Sequence, residues 1–297
     1  MLLVGILLST SGFAQSNTLF NPDYNGDGFI GVDDILGALS FYDNAWDGPV
    51  ANVIYGCTYP LFVEYDASAN VDDGSCLNLA QNCGFNLTYQ GYDYATVLIG
   101  EQCWFAENLR SENYENGDAI PAGLSDSDWQ NTNSGAVAVY GEDAGCENYS
   151  PDIDACDPTQ SLNEYGRLYN WYAVDDARGL CPSGWHVPTD FDWTCLTHHL
   201  GGESIAVAPM KTDYGWFSGG NGTNSSGFSG LPGGNRDSNG DFYFAGHDGV
   251  WWSSSPYGSP YDATAWDRVL SYFYEVVFRT NNDLRYGFSV RCVRDAE

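Results

Sequence analysis

Oxygen-bearing side chains recur at short, regular intervals near the start of the chain, in the stretch NPDYNGDGFIGVDDIL that begins at Asn21. Counted from the first aspartate, they fall at positions 1, 3, 5 and 12, and the glycine at position 6 permits a sharp turn. This is the spacing of an EF-hand-type loop, which curls around a calcium ion. The predicted calcium ligands are Asp23, Asn25, Asp27, Phe29 through its backbone carbonyl, and Asp34.

Apolar residues follow the loop at helical spacing, which predicts a short helix that includes Ile35, Leu36 and Leu39. Asp34 is shorter than the glutamate usual at the last loop position, so we expect a reduced affinity for calcium. Residues 17–47 resemble one half of a dockerin. Dockerins carry two such loops and the sequence shows one, so a cohesin is a doubtful partner, whereas calcium is the expected cofactor. An acidic turn that binds no ion is the alternative.

The chain contains nine cysteines, a content typical of proteins from an oxidising compartment. Cys57 and Cys76 bound an acidic segment, residues 56–76, and a disulfide between them would close a loop of about 20 residues and contribute roughly 3 kcal/mol. This segment resembles a short cysteine-bounded module of surface proteins from marine Bacteroidetes. Cys146 and Cys156 bracket a second acidic loop, and we expect them to pair locally.

Composition restricts the partners of the chain. Forty acidic residues oppose ten basic ones, which gives a formal net charge of −30. Such a surface repels phosphate backbones and anionic membranes, so nucleic acid and membrane insertion are not expected.

An apolar run from Leu2 to Leu8, followed by small residues up to Ala14, predicts a signal peptide over residues 1–14. The predicted location is therefore extracellular or at the cell surface.

Two helices are predicted in the stretch from Gly166 to Trp193, around which the rest of the chain is organised. Its first half places Leu168, Trp171 and Val174 near helical spacing. A second helix is expected to start after Thr189 as its cap and to end before the adjacent glycines at 201 and 202. Short strands are predicted elsewhere, including residues 95–100, 250–254, 272–279 and 287–293, with a hairpin turn at residues 239–240.

Several ordered stretches together resemble one family, the Fibrobacter succinogenes major paralogous domain, over residues 83–297. The stretches are VLIGEQCWFAENLR (97–110), GRLYNWYAV (166–174), GLCPSGWHVPTDFDW (179–193), SSGFSGLPGGNRDSNGDF (225–242), GVWWSSS (249–255) and YGFSVRCVRD (286–295). The family is similar in pattern to the C-type-lectin-like and formylglycine-generating-enzyme folds. The resemblance implies an α+β class, with two helices on small antiparallel sheets and long loops.

The resemblance also implies disulfides. It pairs Cys181 with Cys292 on the last strand, and Cys83 with Cys103. Enzymes that generate formylglycine use a close cysteine pair near the C-terminal strands, whereas here Cys292 is alone in that region. Copper-dependent catalysis of that kind is therefore not expected.

We expect a non-enzymatic protein that binds an extracellular glycan or protein ligand. Exposed aromatic rings stack on pyranose rings, and the later loops, between Gly215 and Arg285, are rich in such residues. Trp251 and Trp252 are more simply interpreted as core. The candidate ligand-binding residues are Tyr257, Tyr261, Trp266 and Asp267. The alternatives are an extracellular enzyme with an unrecognised site and a purely structural surface spacer.

Overall fold

The computed structural model describes residues 55–56, 68–72, 83–143, 145–259 and 262–295. The predicted signal peptide and calcium loop, the Cys57–Cys76 pair and Tyr261 lie outside these described residues. The described chain has a mixed α/β structure in which sheet predominates.

The strands are short, apart from three near the C-terminus. Their bounds are β1 Tyr55–Gly56, β2 Val71–Asp72, β3 Leu87–Tyr89, β4 Tyr92–Tyr94, β5 Thr96–Ile99, β6 Gln102–Phe105, β7 Val137–Ala138, β8 Leu168–Tyr169, β9 Gly233–Arg236, β10 Phe242–Ala245, β11 Asp248–Tyr257, β12 Thr264–Ser271, β13 Phe278–Asp283, β14 Phe288–Ser289 and β15 Val293–Asp295. The helices are α1 Asp126–Asn131, α2 Pro158–Tyr165, α3 Trp171–Val174, α4 Asp190–His199 and α5 Glu203–Met210, and a 3₁₀ turn spans Phe217–Gly219.

The main sheet has eight strands and is built around β11. Along one path its order is β10-β9-β11-β14-β8-β7, while β12 pairs with β11 and β13 pairs with β12. Strand β11 is parallel to β9 and β14 but antiparallel to β12, so the main sheet is mixed rather than the small antiparallel sheet that was expected. A separate three-stranded sheet, β15-β6-β5, joins the end of the described chain to residues 96–105.

The second predicted helix is confirmed as α4, and its start is fixed by a capping box. The Thr189 hydroxyl accepts a hydrogen bond from the Asp192 amide, and the Asp192 carboxylate accepts one from the Thr189 amide at 2.7 Å. Trp193 and Leu196 on this helix are fully buried, in a core cluster with Trp251 from β11. Helix α4 therefore lies firmly against the main sheet.

The first predicted helix was mostly wrong. Leu168 and Tyr169 form strand β8 between β14 and β7, and only one helical turn, α3, follows. The side chain of Asn170 caps that turn by accepting a hydrogen bond from the Ala173 amide. A helix could not continue back through Asn170, because this residue has the extended backbone of a cap.

The predicted strand over residues 272–279 was mostly wrong, since only Phe278 and Arg279 lie in a strand, at the start of β13. The strands are β12 and β13, and residues 272–277 form the connection between them. Of the alternating residues that predicted the strand, Tyr272, Tyr274 and Val276 lie in this connection, where Tyr274 is 53 % exposed, and only Phe278 lies in β13. The hairpin turn at Asn239 is confirmed, because the Asp237 amide donates to the Asp241 carbonyl at 2.8 Å between β9 and β10.

Three disulfides occur in the described chain, and they are the pairs expected there: Cys83–Cys103, Cys146–Cys156 and Cys181–Cys292. The last of these ties the turn before α4 to the segment before β15. The same region is joined by backbone hydrogen bonds in both directions between His186 and Val293, each at 2.9 Å.

None of the helices in the described residues is long and apolar enough to cross a bilayer.

Candidate functional site

Strands β11, β12 and β13 form an antiparallel meander that positions the candidate ligand-binding residues. Successive side chains of a strand point to opposite faces of the sheet, so Trp266 and Asp267 of β12 cannot share one binding face. Trp266 is half-buried on the face that is covered in part by α4, whereas Asp267 is fully buried opposite Trp252 of the core. The structure thus separates two residues that the sequence grouped.

Tyr257 and Trp266 do come together. Their ring centroids are 4.6 Å apart in an edge-to-face arrangement, and Tyr257 is 38 % exposed. The guanidinium carbon of Arg279, on β13, lies 3.6 Å from the centroid of Trp266. Asp190 holds that guanidinium through two hydrogen bonds of 2.9 Å and 2.7 Å. We call these four residues the Trp266 face.

Asp190 is held in the Trp266 face by its position at the start of α4 and by two arginines. It is the first residue of α4, where a negative charge is favourable. Arg268 and Arg279 lie directly opposite each other on β12 and β13, and Asp190 contacts both of them. Burial would raise the pKa of Asp190, but the hydrogen bonds from Arg279 and Arg268 outweigh it and lower that pKa. The carboxylate therefore neutralises two like charges that would otherwise repel across the strands.

Asp267 is a buried carboxylate that accepts hydrogen bonds from neutral donors. Thr280 donates to one oxygen, and the amide of Asn282 donates to the other at 2.8 Å. Burial raises the pKa of Asp267 to about 6, against the lowering effect of these hydrogen bonds and of Arg268. Its place in the core, away from Trp266, makes it a residue that affects stability rather than one that reaches a ligand.

We expect Asp267 to make the stability of the domain depend on pH. Because its folded-state pKa of about 6 lies above the ordinary 3.8, its contribution is fully present below pH 3.8 and is lost as the pH rises through 6. The shift corresponds to about 3 kcal/mol. The free energy of unfolding of Asp267→Asn, minus that of the wild type, should therefore rise by about this amount between acidic and neutral pH. A difference that stays constant with pH in denaturant titrations would contradict this assignment.

Trp251, Trp252 and His186, which were also noted in the sequence, make contacts inside the fold. Trp251 and Trp252 are fully buried, and their indole N–H groups donate to the Asn108 side chain and the Tyr169 carbonyl, both at 2.8 Å. The histidine of the GWHVP turn, His186, lies 3.2 Å from the Asp192 carboxylate. Trp251 and Trp252 are therefore core residues, as was expected.

A cleft of about 320 Å³ opens beside the Cys181–Cys292 disulfide, with His186, Glu115 and Ser254 in its lining. Among its described lining residues Glu115 is the one carboxylate, so this cleft does not supply the carboxylate pair of a glycoside hydrolase. In the described part of the chain no group of three or more His, Cys, Asp or Glu side chains is arranged to hold a metal ion.

Sequence reasoning missed Arg279, Asp190 and a second aromatic group. In that group the imidazole of His247 is stacked between Tyr149 and Tyr272, with centroid distances of 3.9 Å and 4.6 Å. These residues come from chain segments that only the fold brings together, so no local pattern could have found them. Arg279 had one usable signal, because it is one of only ten basic residues in a strongly acidic chain.

Comparison with known protein families shows to which family the domain belongs. Residues 97–294 match the Fibrobacter succinogenes major domain, which spans about two thirds of the chain. The chain therefore belongs to the Fibrobacter succinogenes major domain family. No curated protein and no solved structure matches it.

Proposed function

We propose that this protein is a secreted or cell-surface, non-enzymatic binding protein that recognises carbohydrate through the Trp266 face. The observation that carries the proposal is the convergence of Tyr257 and Trp266 with the Arg279–Asp190 pair. Extracellular location is supported by the described disulfides, which persist in oxidising compartments, and by the apolar run from Leu2 to Leu8.

The chemistry of the Trp266 face suits a sugar. Tyrosine and tryptophan present apolar rings together with polar groups at their edges. The Arg279–Asp190 pair adds donors and acceptors whose charges cancel, so it can bind hydroxyl groups without selecting a charged ligand. Asn281, exposed and directly opposite Trp266 on β13, adds an amide beside the rings. The exposed Tyr257 ring, packed on Trp266 beside the Arg279 guanidinium that covers it, therefore offers an apolar contact surface with fixed polar neighbours, which suits a shallow glycan site.

The substitution Trp266→Ala in the full-length chain should lower glycan affinity about thirtyfold, because it removes the ring on which both Tyr257 and Arg279 pack and so disorders the binding face. The affinity is measured on a glycan array with calcium present and then by calorimetry with the best binder. Tyr257→Ala should weaken binding as well, while Tyr257→Phe should keep the stacking contribution.

The matched control is Phe85→Ala, since Phe85 is 68 % exposed and lies outside the Trp266 face. It should leave affinity unchanged. Thermal melting of each variant separates loss of a contact from loss of the fold. A parent chain that binds no glycan, or a Trp266→Ala variant that binds as well as the parent, would overturn the carbohydrate proposal.

The proposal includes a C-type-lectin-like arrangement of the family domain. Support comes from the sequence motifs around residues 184–193 and 286–292, together with the disulfide that joins these two regions. In such an arrangement α4 and the last strands form a framework, and the binding face lies in the later loops and the β11–β13 meander. The position of the Trp266 face agrees with this division.

We also propose that residues 23–34 bind one calcium ion, supported by the ligand spacing from Asp23 to Asp34. Calorimetry of the full-length chain should show calcium-binding heat that is lost in Asp27→Ala, since this change removes a ligand at position 5 of the loop. Asp43→Ala, which removes an acidic residue outside the loop, should keep the heat. The absence of heat in the parent chain would refute calcium binding here.

A further inference from the structure

Strand β13 lies at an edge of the main sheet. It pairs with β12 on one side, and among the described residues its other side has no backbone partner. The strand is six residues long, and Arg279 and Asn281 on it are exposed. An edge of this kind can add another strand through main-chain hydrogen bonds, and natural proteins often protect such edges with charged side chains.

The sequence of β13 is complementary to itself. Arg279 and Asp283 stand two residues before and two residues after Asn281, and Thr280 and Asn282 flank it directly. If two copies pair antiparallel about a two-fold axis at Asn281, each Arg279 lies opposite Asp283 of the partner subunit. In the same register each Thr280 lies opposite Asn282 of the partner subunit. Opposite charges at directly facing positions stabilise antiparallel strand pairs.

We propose that the protein forms a two-fold symmetric dimer through β13, which extends the main sheet from one copy into the next. A strand that only prevented pairing would not need opposite charges at positions related by symmetry. Here each charge is already held in place, Arg279 by Asp190 and Asp283 by Arg285 at 2.6 Å. Arg279 and Asp283 would keep these partners in the dimer, so the attraction between facing opposite charges adds to the ion pairs that each copy already makes.

Charge also favours this edge over the rest of the surface. The chain carries a net charge of −30, so two copies repel each other in general. Strand β13 holds one positive and one negative side chain and is locally neutral. Two strongly acidic molecules can therefore approach here at lower electrostatic cost, and salt that screens the long-range repulsion should strengthen the dimer.

The dimer would place two Trp266 faces on the same side of one sheet. Directly opposed residues of an antiparallel pair project to the same side, and the two β12 strands would lie three strand spacings, about 14 Å, apart. Two such faces at a fixed separation would bind a polymeric ligand with greater avidity than one. The dimer itself does not depend on the carbohydrate proposal, and its test uses no glycan.

Sedimentation velocity of the full-length chain at physiological ionic strength tests the dimer. The wild type should dimerise, whereas Arg279→Asp alone and Asp283→Arg alone should each raise the dissociation constant about tenfold or more, because like charges then face each other twice. In an equimolar mixture of these two variants, one copy presents two acidic side chains and the other presents two arginines. The mixture should therefore recover a heterodimer, which a purely intramolecular role of Arg279 cannot produce.

Asn281→Arg provides a second variant that leaves the Arg279–Asp190 pair intact. It places two like charges on the symmetry axis and should also prevent dimerisation, while circular dichroism confirms that the fold is retained. A wild type that is monomeric at all concentrations would overturn the proposal. So would dimerisation that persists in Asn281→Arg, or a mixture of the two charge variants that stays monomeric.

Discussion

The double variant Cys181→Ala, Cys292→Ala should lose about 4.8 kcal/mol of its free energy of unfolding, because this disulfide closes the longest loop of those described. The two cysteines are 111 residues apart, and the bond restricts the unfolded chain over that whole length. A loss of this size is a large fraction of the 5–15 kcal/mol that typically stabilises a domain. Denaturant unfolding of the oxidised proteins measures it.

The matched control is the double variant Cys146→Ala, Cys156→Ala. Its disulfide spans a sequence separation of 10, so the same loop-closure argument gives a loss of about 2.7 kcal/mol. Cys181 and Cys292 are also buried in the largest core cluster, whose packing adds to the difference between the two variants. Equal losses in the two double variants would show that loop length does not determine the contribution of these bonds.

Elements with strong local signals could be predicted from the sequence. Helix α4 carries its own start signal in Thr189 and Asp192 and its own end in two glycines with positive φ, so its bounds needed no knowledge of the fold. The turn at Asn239 is equally local. The predicted disulfide between Cys181 and Cys292 required more than local signals, because 111 residues separate the two cysteines, and it came from the family resemblance.

Elements that depend on distant partners were not predictable from local patterns. Leu168 and Tyr169 have apolar spacing that fits a helix, but β14 and β7 on either side of them make them a strand. Residues 272–277 alternate as a strand would, yet they form a connection between β12 and β13. A tertiary partner overrides propensity in the first case. In the second, the residues before and after the connection pair with each other as β12 and β13, and residues 272–277 are left to link them.

The same limit applies to the candidate site. Tyr257 and Trp266 were identified from residue type, and the fold brings them within contact distance. The sequence could not show that Arg279 covers the Trp266 ring or that Asp190 holds Arg279, since 89 residues separate that ion pair. The period of two along a strand could have warned that Trp266 and Asp267 face opposite ways, but only if the strand itself had been predicted.

Arg291→Met should destabilise the domain by about 3–5 kcal/mol, because Arg291 is a fully buried cation that supplies hydrogen bonds to backbone carbonyls from several segments. It donates to the carbonyls of Phe105, Phe228 and Ser229 and, at 3.0 Å, to the side chain of Asn108. Burial lowers the pKa of Arg291 to about 9, so the guanidinium is still charged at neutral pH. Methionine keeps much of the volume but leaves these carbonyls without their donor.

Arg294 supplies the control for this prediction, since it lies three residues further along the same segment. Its guanidinium stacks on Trp185 at 4.8 Å, and its buried Nε atom makes no hydrogen bond to the described residues. Arg294→Met keeps an apolar chain against Trp185. Because Nε of Arg294 donates to no acceptor among the described residues, its removal breaks no hydrogen bond there, and we expect the free energy of unfolding to fall by less than about 1 kcal/mol. Denaturant unfolding at neutral pH compares the two variants. Similar losses in both would mean that the hydrogen bonds of Arg291 to the Phe228 and Ser229 segment do not hold that loop to the sheet.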